Sequence, residues 1–394
     1  MSATHTALPL RAGNSRHRTP LAWRNIVHHK PTMLISIAAV AFAVLIMFME
    51  IGFLNGLYDS QTGALASFHA DLVMTSPALH IVTVNETFPR ARLAQVAAVA
   101  GVKAAYPVYM EDGFSALRNP ETGMNNSARV FGFEPDHPVF ESREVNQQID
   151  RLRVPLTVLF DRKSRRLLGR QEQGAVTELA GRAVTVVGSF TLGPDYYYDG
   201  NIFTSAETFF ALFPDQKRSE VFIGLIHLER GASAEDVLRE LRASLGPDVE
   251  VMTKSAIIAR EKATLQKSTP AGAIFTMGVA VGFVIGVFIC YQILYTQIAD
   301  HLPQLATLKA LGYQNRDLVR LVLTQAVLLG MLGFLPALAL TFGLYALLTT
   351  LTGIVTKLTL ARVVLVFSLT LGMCFVSGLL AVRKALAADP AELF

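Results

Sequence analysis

The sequence predicts a polytopic α-helical membrane protein with four transmembrane helices and a large α+β extracytoplasmic domain between helices 1 and 2. Charged residues make up only 17% of the 394 residues, whereas soluble domains carry about 25%. Four windows without Asp, Glu, Lys or Arg cover residues 31–49, 268–299, 321–356 and 363–382. Because about 20 apolar residues cross a bilayer, each window accommodates one helix. This pattern excludes a soluble enzyme, a disordered regulator and a secreted disulfide scaffold.

We expect the four membrane helices at residues 31–57, 271–295, 318–349 and 363–382. The first is too long for the apolar core of a cleavable signal peptide. The third uncharged window would form a helix of about 54 Å, longer than the hydrocarbon core of about 30 Å. That helix should therefore tilt, bend at Pro336, or stop near Thr349 and continue as a loop.

The basic residues predict the orientation of the chain. The tail at residues 1–30 has five basic residues and no acidic one, and Lys309, Arg316 and Arg320 lie in the second connection. Because basic loops stay in the cytoplasm, we expect cytoplasmic termini, including residues 383–394. Residues 58–267 should then form a domain on the other side of the membrane, outside the cytoplasm.

The sequence of this external region predicts an α+β fold. Strands are expected at residues 71–75, 102–117, 127–133, 221–228 and 248–252, with two more around Gly181. Helices are expected at residues 88–99, 233–245 and 253–266, the second capped by Ser233. We expect residues 140–215 to be an insert in one layered unit.

No catalytic, cofactor-binding or metal-binding constellation is evident. The sequence lacks G-x-S-x-G, H-E-x-x-H, paired cysteines and a phosphate-binding G-x-x-x-x-G-K-[ST] loop. The basic residues form no nucleic-acid motif. We therefore expect a chain that is not an enzyme, binds no cofactor or nucleic acid, and relies on another subunit for any use of ATP.

Two features of the domain are candidates for a periplasmic partner surface. They are a basic run that includes Arg162, Lys163, Arg165 and Arg166, and the aromatic run Tyr196, Tyr197 and Tyr198. The basic run is either a site for an anionic lipid headgroup or an acidic partner, or a solvated face. The tyrosines form either an interface contact or ordinary turn and strand packing.

Two features of the membrane region predict helix contacts and coupling. Gly278, Gly282 and Gly286 form a GxxxGxxxG face, which supports either a dimer or packing within the chain. Residues 300–312 predict a short amphipathic helix that ends at a glycine, either a lever for another protein or an ordinary interfacial helix. Its candidate coupling residues are Asp300, His301, Leu302, Gln304, Leu305, Leu308, Lys309, Leu311 and Gly312.

The stretch 305–320 and the terminal Arg383-Lys384 and Asp389-Pro390-Ala391 segments resemble FtsX/MacB-type ABC transporter permeases. Further segments resemble the DevC-type permease of the heterocyst glycolipid exporter family. These are residues 21–23 (LAW), 71–73 (DLV), 118–122 (RNPET), 130–136 (VFGFEPD), 159–162 (LFDR), 190–193 (FTLG) and 291–296 (YQILYT).

The resemblance implies a homodimeric permease subunit of a tripartite exporter for a lipid, glycolipid or other amphiphile. Its partners would be an ABC ATPase that binds ATP and Mg, a periplasmic adaptor and a TolC-like outer-membrane channel. ATP hydrolysis would reshape the periplasmic domain by mechanotransmission, through residues 300–312. The alternatives are an FtsX-like regulator of periplasmic enzymes and a membrane sensor module without transport.

Overall fold

The computed structural model describes residues 30–82, 86–268, 270–300 and 315–387. The first half contains α1 (Lys30–Gln61), α2 (Gly63–Ser67), β1 (Leu72–Thr75), β2 (Phe88–Pro89), α3 (Ala91–Ala97), β3 (Val102–Arg118), β4 (Asn125–Phe133), α4 (Arg143–Asn146), β5 (Thr157–Asp161), β6 (Val176–Leu179) and β7 (Arg182–Phe190). The second half contains β8 (Asn201–Ser205), α5 (Ala206–Leu212), β9 (Glu220–Val221), β10 (Ile223–Leu228), α6 (Ala234–Ser244), β11 (Glu250–Thr253), α7 (Lys254–Ser268), α8 (Pro270–Asp300), α9 (Asn315–Thr352) and α10 (Leu360–Ala387).

Four of these helices, α1, α8, α9 and α10, are long and apolar enough to cross a membrane. The predicted order of one helix, a large domain and then three helices is confirmed. Helix α9 includes Pro336 and continues to Thr352. The next residue, Gly353, adopts a left-handed conformation with φ of 75°. The long uncharged window therefore forms one helix followed by a connection to α10.

Internal contacts divide the described chain into two compact units. The membrane unit contains residues 30–48, 279–300, 315–341 and 360–387. The domain unit contains residues 49–82, 86–268, 270–278 and 342–359, and so it includes the ends of α1, α8 and α9 as well as the whole sheet.

The domain unit is built on a nine-stranded mixed sheet in the order β11-β1-β10-β3-β4-β8-β5-β7-β6. The pairs β4–β8 and β5–β7 are parallel, and the other neighbours are antiparallel. Strands β5 to β8 come from the predicted insert at residues 140–215. They continue the sheet through the β4–β8 pair, so the insert extends the fold of the other strands.

Hydrophobic residues pack on both faces of the sheet. Neighbouring side chains of a strand point to opposite faces, so one strand contributes to both clusters. On one face, Leu72 of β1 packs in a cluster with residues of α3, α5 and α6. On the other face, Val73 of β1 packs with residues of α2 and α7. The Ser233 hydroxyl accepts a hydrogen bond from the backbone N–H of Asp236, which is the N-cap expected for α6.

Candidate functional site

The predicted coupling residues lie almost entirely outside the described residues. Asp300 is the last residue of α8, and residues 301–312 belong to a segment that the structure does not describe. The role of this loop in coupling therefore stays a prediction.

The glycine face of α8 packs against neighbouring helices of the same chain. In the membrane unit, a Cβ added to Gly282 would lie 3.2 Å from Ile46 of α1. A Cβ on Gly286 would lie 2.0 Å from the sulfur of Met373. In the domain unit, a Cβ on Gly278 would lie 2.5 Å from the carboxyl carbon of Glu50. These contacts correspond to the intramolecular alternative for the glycines.

A buried polar network fixes the loop that connects β7 to β8. The Asp161 carboxylate accepts hydrogen bonds from the backbone N–H groups of Lys163, Leu192 and Gly193 and from the Asn201 amide. Because Asp161 is fully buried, these four donors compensate for its lost hydration. The network holds the basic run and residues 191–193 next to each other.

A buried ion pair continues this network. The Arg129 guanidinium lies 2.7 Å from a carboxylate oxygen of Asp195, and both side chains are at most 1% exposed. Arg129 also donates two hydrogen bonds to the amide oxygen of Asn201. The other Asp195 oxygen accepts from the backbone N–H groups of Tyr197 and Tyr198, each at 2.8 Å. The tyrosine run is therefore anchored from beneath.

The structure separates the predicted aromatic surface into three environments. Tyr198 is buried, with the Arg129 guanidinium 5.2 Å from its ring centroid. Tyr197 is half-buried, and this burial is the main cause of its raised pKa. Tyr196 is 62% exposed. Only Tyr196 and Tyr197 are therefore accessible for contact with a ligand or a partner.

The basic run also divides into paired and unpaired side chains. Arg162 forms an ion pair with Glu144, and Arg165 pairs with Asp199 at 2.8 Å. Lys163 and Arg166 are exposed, and within the described chain their charged groups form no ion pair with an acidic residue. Two cations are thus available to an external anion.

These two features line one cavity of about 1580 Å³ within the domain unit. Its polar wall comes from the domain loops and includes Asn119, Asn126, Arg162, Lys163, Ser164, Arg165, Arg166, Tyr196 and Tyr197. Its apolar wall comes mostly from the ends of α1, α7, α8 and α9, with Phe53, Leu57, Leu265, Ile274, Phe275, Leu351 and Ile354. Four basic residues and no acidic residue line this cavity, so its charge favours an anion.

Several lining side chains have polar atoms without a hydrogen-bond partner among the described residues. The amide nitrogen and the amide oxygen of Gln61 have no hydrogen-bond partner, although Gln61 is only 2% exposed. The hydroxyls of Tyr58 and Ser164 are also buried and unpaired. Buried polar groups usually have partners. These atoms have almost no accessible surface, so they lie behind the cavity wall and do not face its interior.

Sequence patterns do not reveal the other polar residues that line the cavity. Tyr58 and Gln61 lie near the end of an apolar helix, and Asn119 lies in the connection between β3 and β4. Only tertiary contacts bring them together with the basic run. The signal that the sequence does carry is the coexistence of the basic and aromatic runs in one domain.

The cavity has the chemistry of a binding site. The described residues contain no group of three His, Cys, Asp or Glu side chains that could hold a metal ion. The lining offers cationic, amide and hydroxyl groups at one wall and apolar side chains at the other. Such a lining is complementary to a molecule with one negatively charged end and one apolar end.

One protein family matches the C-terminal part of the chain. Residues 276–390 match the family described as FtsX-like permease C-terminal. A search of curated proteins finds no match.

Three solved structures are similar to about half of this chain. The periplasmic region of MacB from Actinobacillus actinomycetemcomitans is 11% identical, with a TM-score of 0.33, over 50% of this chain and 93% of that one. The extracellular domain of the noncanonic ABC-type transporter YknZ from Gram-positive bacteria is 14% identical, with a TM-score of 0.31, over 47% and 99%. A domain of a putative permease protein from Porphyromonas gingivalis is 17% identical, with a TM-score of 0.30, over 46% and 87%.

The family match begins in α8 and extends through α9 and α10. It thus includes the last three of the four membrane helices, together with both connections between them. The C-terminal part of this chain is therefore similar to the C-terminal domain of FtsX-like permeases.

Proposed function

We propose that this chain is the permease subunit of an ABC exporter of the MacB and DevC type. In this proposal it couples ATP hydrolysis on a separate ATPase to a conformational change of its periplasmic domain, and it serves the export of a lipid, glycolipid or other amphiphile. The observation that carries the proposal is the FtsX-like permease match over residues 276–390.

The composition of the helices supports mechanical coupling over conduction. The uncharged windows leave Glu50 as the acidic residue nearest the middle of a span. An ion or proton path through a membrane normally needs ionisable side chains. A permease that transmits movement to its periplasmic domain has no such need.

The proposed assembly is a homodimer in the bacterial inner membrane. Its partners are an ABC ATPase, which binds ATP and Mg, a periplasmic adaptor and a TolC-like outer-membrane channel. The surplus of basic residues in the tail and in the second connection supports a cytoplasmic location for both.

Coupling is tested by ATPase activity of the chain co-purified with its ATPase. We expect deletion of residues 300–312, or the substitution Leu305→Asp, to abolish the dependence of ATP hydrolysis on the permease. Val154→Asp places the same charge on an exposed apolar residue of the domain and should leave activity unchanged. Wild-type activity after the deletion would overturn the coupling proposal.

The partners that co-purify from membranes separate export from regulation. An adaptor and an outer-membrane channel are expected for an exporter. Recovery of a cell-wall hydrolase in their place would favour the FtsX-like regulator. Recovery of no ATPase would favour a sensor module.

A further inference from the structure

The cavity of the domain unit combines two properties that one ligand would satisfy together. It has cations without ion-pair partners among the described residues, and an apolar wall made by the ends of membrane helices. We propose that this cavity binds an anionic amphiphile, a lipid-like molecule whose polar end carries a phosphate or a carboxylate. This proposal extends the export function proposed above. The identification of the amphiphile as the exported molecule rests on that function.

The positions of the charges assign the anionic end of the ligand. Arg162 and Arg165 already have acidic partners in the domain. Lys163 and Arg166 do not, within the described residues, and both line the cavity. An anion at this wall would bond with these two cations without displacing an existing ion pair, which avoids the cost of leaving a partner unpaired.

The apolar wall indicates an attached chain. Ile274 is 63% exposed and Leu351 is 75% exposed, and both belong to candidate membrane spans. Met124 and Leu167 add exposed apolar surface on the domain side. The volume of about 1580 Å³ exceeds the range of roughly 300–1,000 Å³ of ordinary small-ligand pockets. A lipid-sized molecule fits this volume and this distribution of polarity.

Binding is tested on the full chain purified in a neutral detergent, without an ATPase. The probes are fluorescent phosphatidylglycerol and fluorescent phosphatidylcholine with the same acyl chains, and glycerol phosphate is the soluble competitor. We expect the wild type to bind the anionic probe more tightly than the zwitterionic one. Glycerol phosphate should not displace it at matched concentration, because the acyl chains contribute to binding. Equal affinity for the two probes, or displacement by glycerol phosphate, would overturn the proposal.

The site itself is tested with two matched double variants. Lys163→Glu with Arg166→Glu should weaken binding of the anionic probe by about 30-fold, since each basic residue contributes roughly fivefold to the attraction of an anionic headgroup. Arg170→Glu with Arg182→Glu makes the same change of charge on exposed residues outside the cavity and should leave the affinity unchanged. An equal loss in both variants would show attraction by surface charge alone and would overturn the assigned site.

The binding result and the ATPase result are independent. If the anionic probe binds specifically but deletion of residues 300–312 leaves ATP hydrolysis unchanged, the result would support the binding site in the cavity and contradict the proposed exporter. Coupled ATP hydrolysis with no preference for the anionic probe would contradict the cavity and leave the exporter intact.

Discussion

Glu261 is a buried carboxylate of the domain with a raised pKa. It lies in α7, is 2% exposed, and accepts a hydrogen bond of 3.0 Å from the backbone N–H of Val82. Desolvation by burial raises its pKa from 4.5 to about 7, against the opposing effects of this hydrogen bond and of Arg129 and Arg260. The side chain therefore changes charge close to neutral pH.

This raised pKa predicts a loss of stability as pH rises. The folded chain keeps the proton up to about pH 7, whereas the unfolded chain releases it near 4.5. Because the folded state binds more protons in this range, the stabilisation is complete below pH 4.5 and is lost as pH rises through 7. The total effect is about 3 kcal/mol.

The measurement is thermal unfolding of the full chain in detergent between pH 5 and pH 8. Glu261→Gln should remove this part of the pH dependence, since its side chain does not titrate. Glu172→Gln, an exposed position, should keep the wild-type profile. Parallel profiles for the wild type and Glu261→Gln would contradict the prediction.

At the scale of single elements, the close contacts of α8 predict an effect of glycine substitution. Gly286→Leu would force a side chain into the space of Met373 and Ala43, whose atoms lie 2.0 Å and 3.2 Å from an added Cβ. Overpacking of this kind costs about 1–3 kcal/mol. We expect a lower unfolding temperature in detergent.

The matched control is Gly343→Leu in α9, where an added Cβ meets no atom within 4 Å. This variant should unfold at the wild-type temperature or slightly above, because leucine favours a helix more than glycine. A change of oligomer size without a change of unfolding temperature in Gly286→Leu would favour a dimer contact over packing within the chain.

The four membrane helices were predictable because their signal needs only composition. A long uncharged apolar window rarely forms anything other than a membrane-spanning helix. Strands β5 and β8 had no such signal. All five residues of each are buried, so neither strand alternates between apolar and polar residues. Their burial follows from a central position in the sheet, with side chains covered on both faces, which local sequence does not encode.

At the scale of the whole molecule, the candidate site was predictable in part. The basic and aromatic runs are visible in the sequence, and both line the cavity. Gln61 and the residues 349–354 were not predictable as site residues, since their relation to these runs arises from the folding of the domain around the ends of three helices. The anchoring of Tyr197 by Asp195 likewise joins a loop to Arg129 of a distant strand.

The distribution of charge predicts the sidedness of the chain in the membrane. Because basic connections remain in the cytoplasm, the domain should face the periplasm and residue 301 should face the cytoplasm. The chain has two cysteines, Cys290 and Cys374, and both are buried. Replacement of both by alanine gives a cysteine-free background for single cysteine labels. Glu172→Cys marks an exposed position in the domain, and His301→Cys marks the second connection.

A membrane-impermeant maleimide should label Glu172→Cys on intact spheroplasts and His301→Cys only after the membrane is opened. The background without cysteines should take up no label under either condition. The reverse pattern would place the domain in the cytoplasm, where the proposed periplasmic adaptor could not reach it. The exporter would then lose its physical basis, because movement driven by a cytoplasmic ATPase must reach a domain on the other side of the membrane.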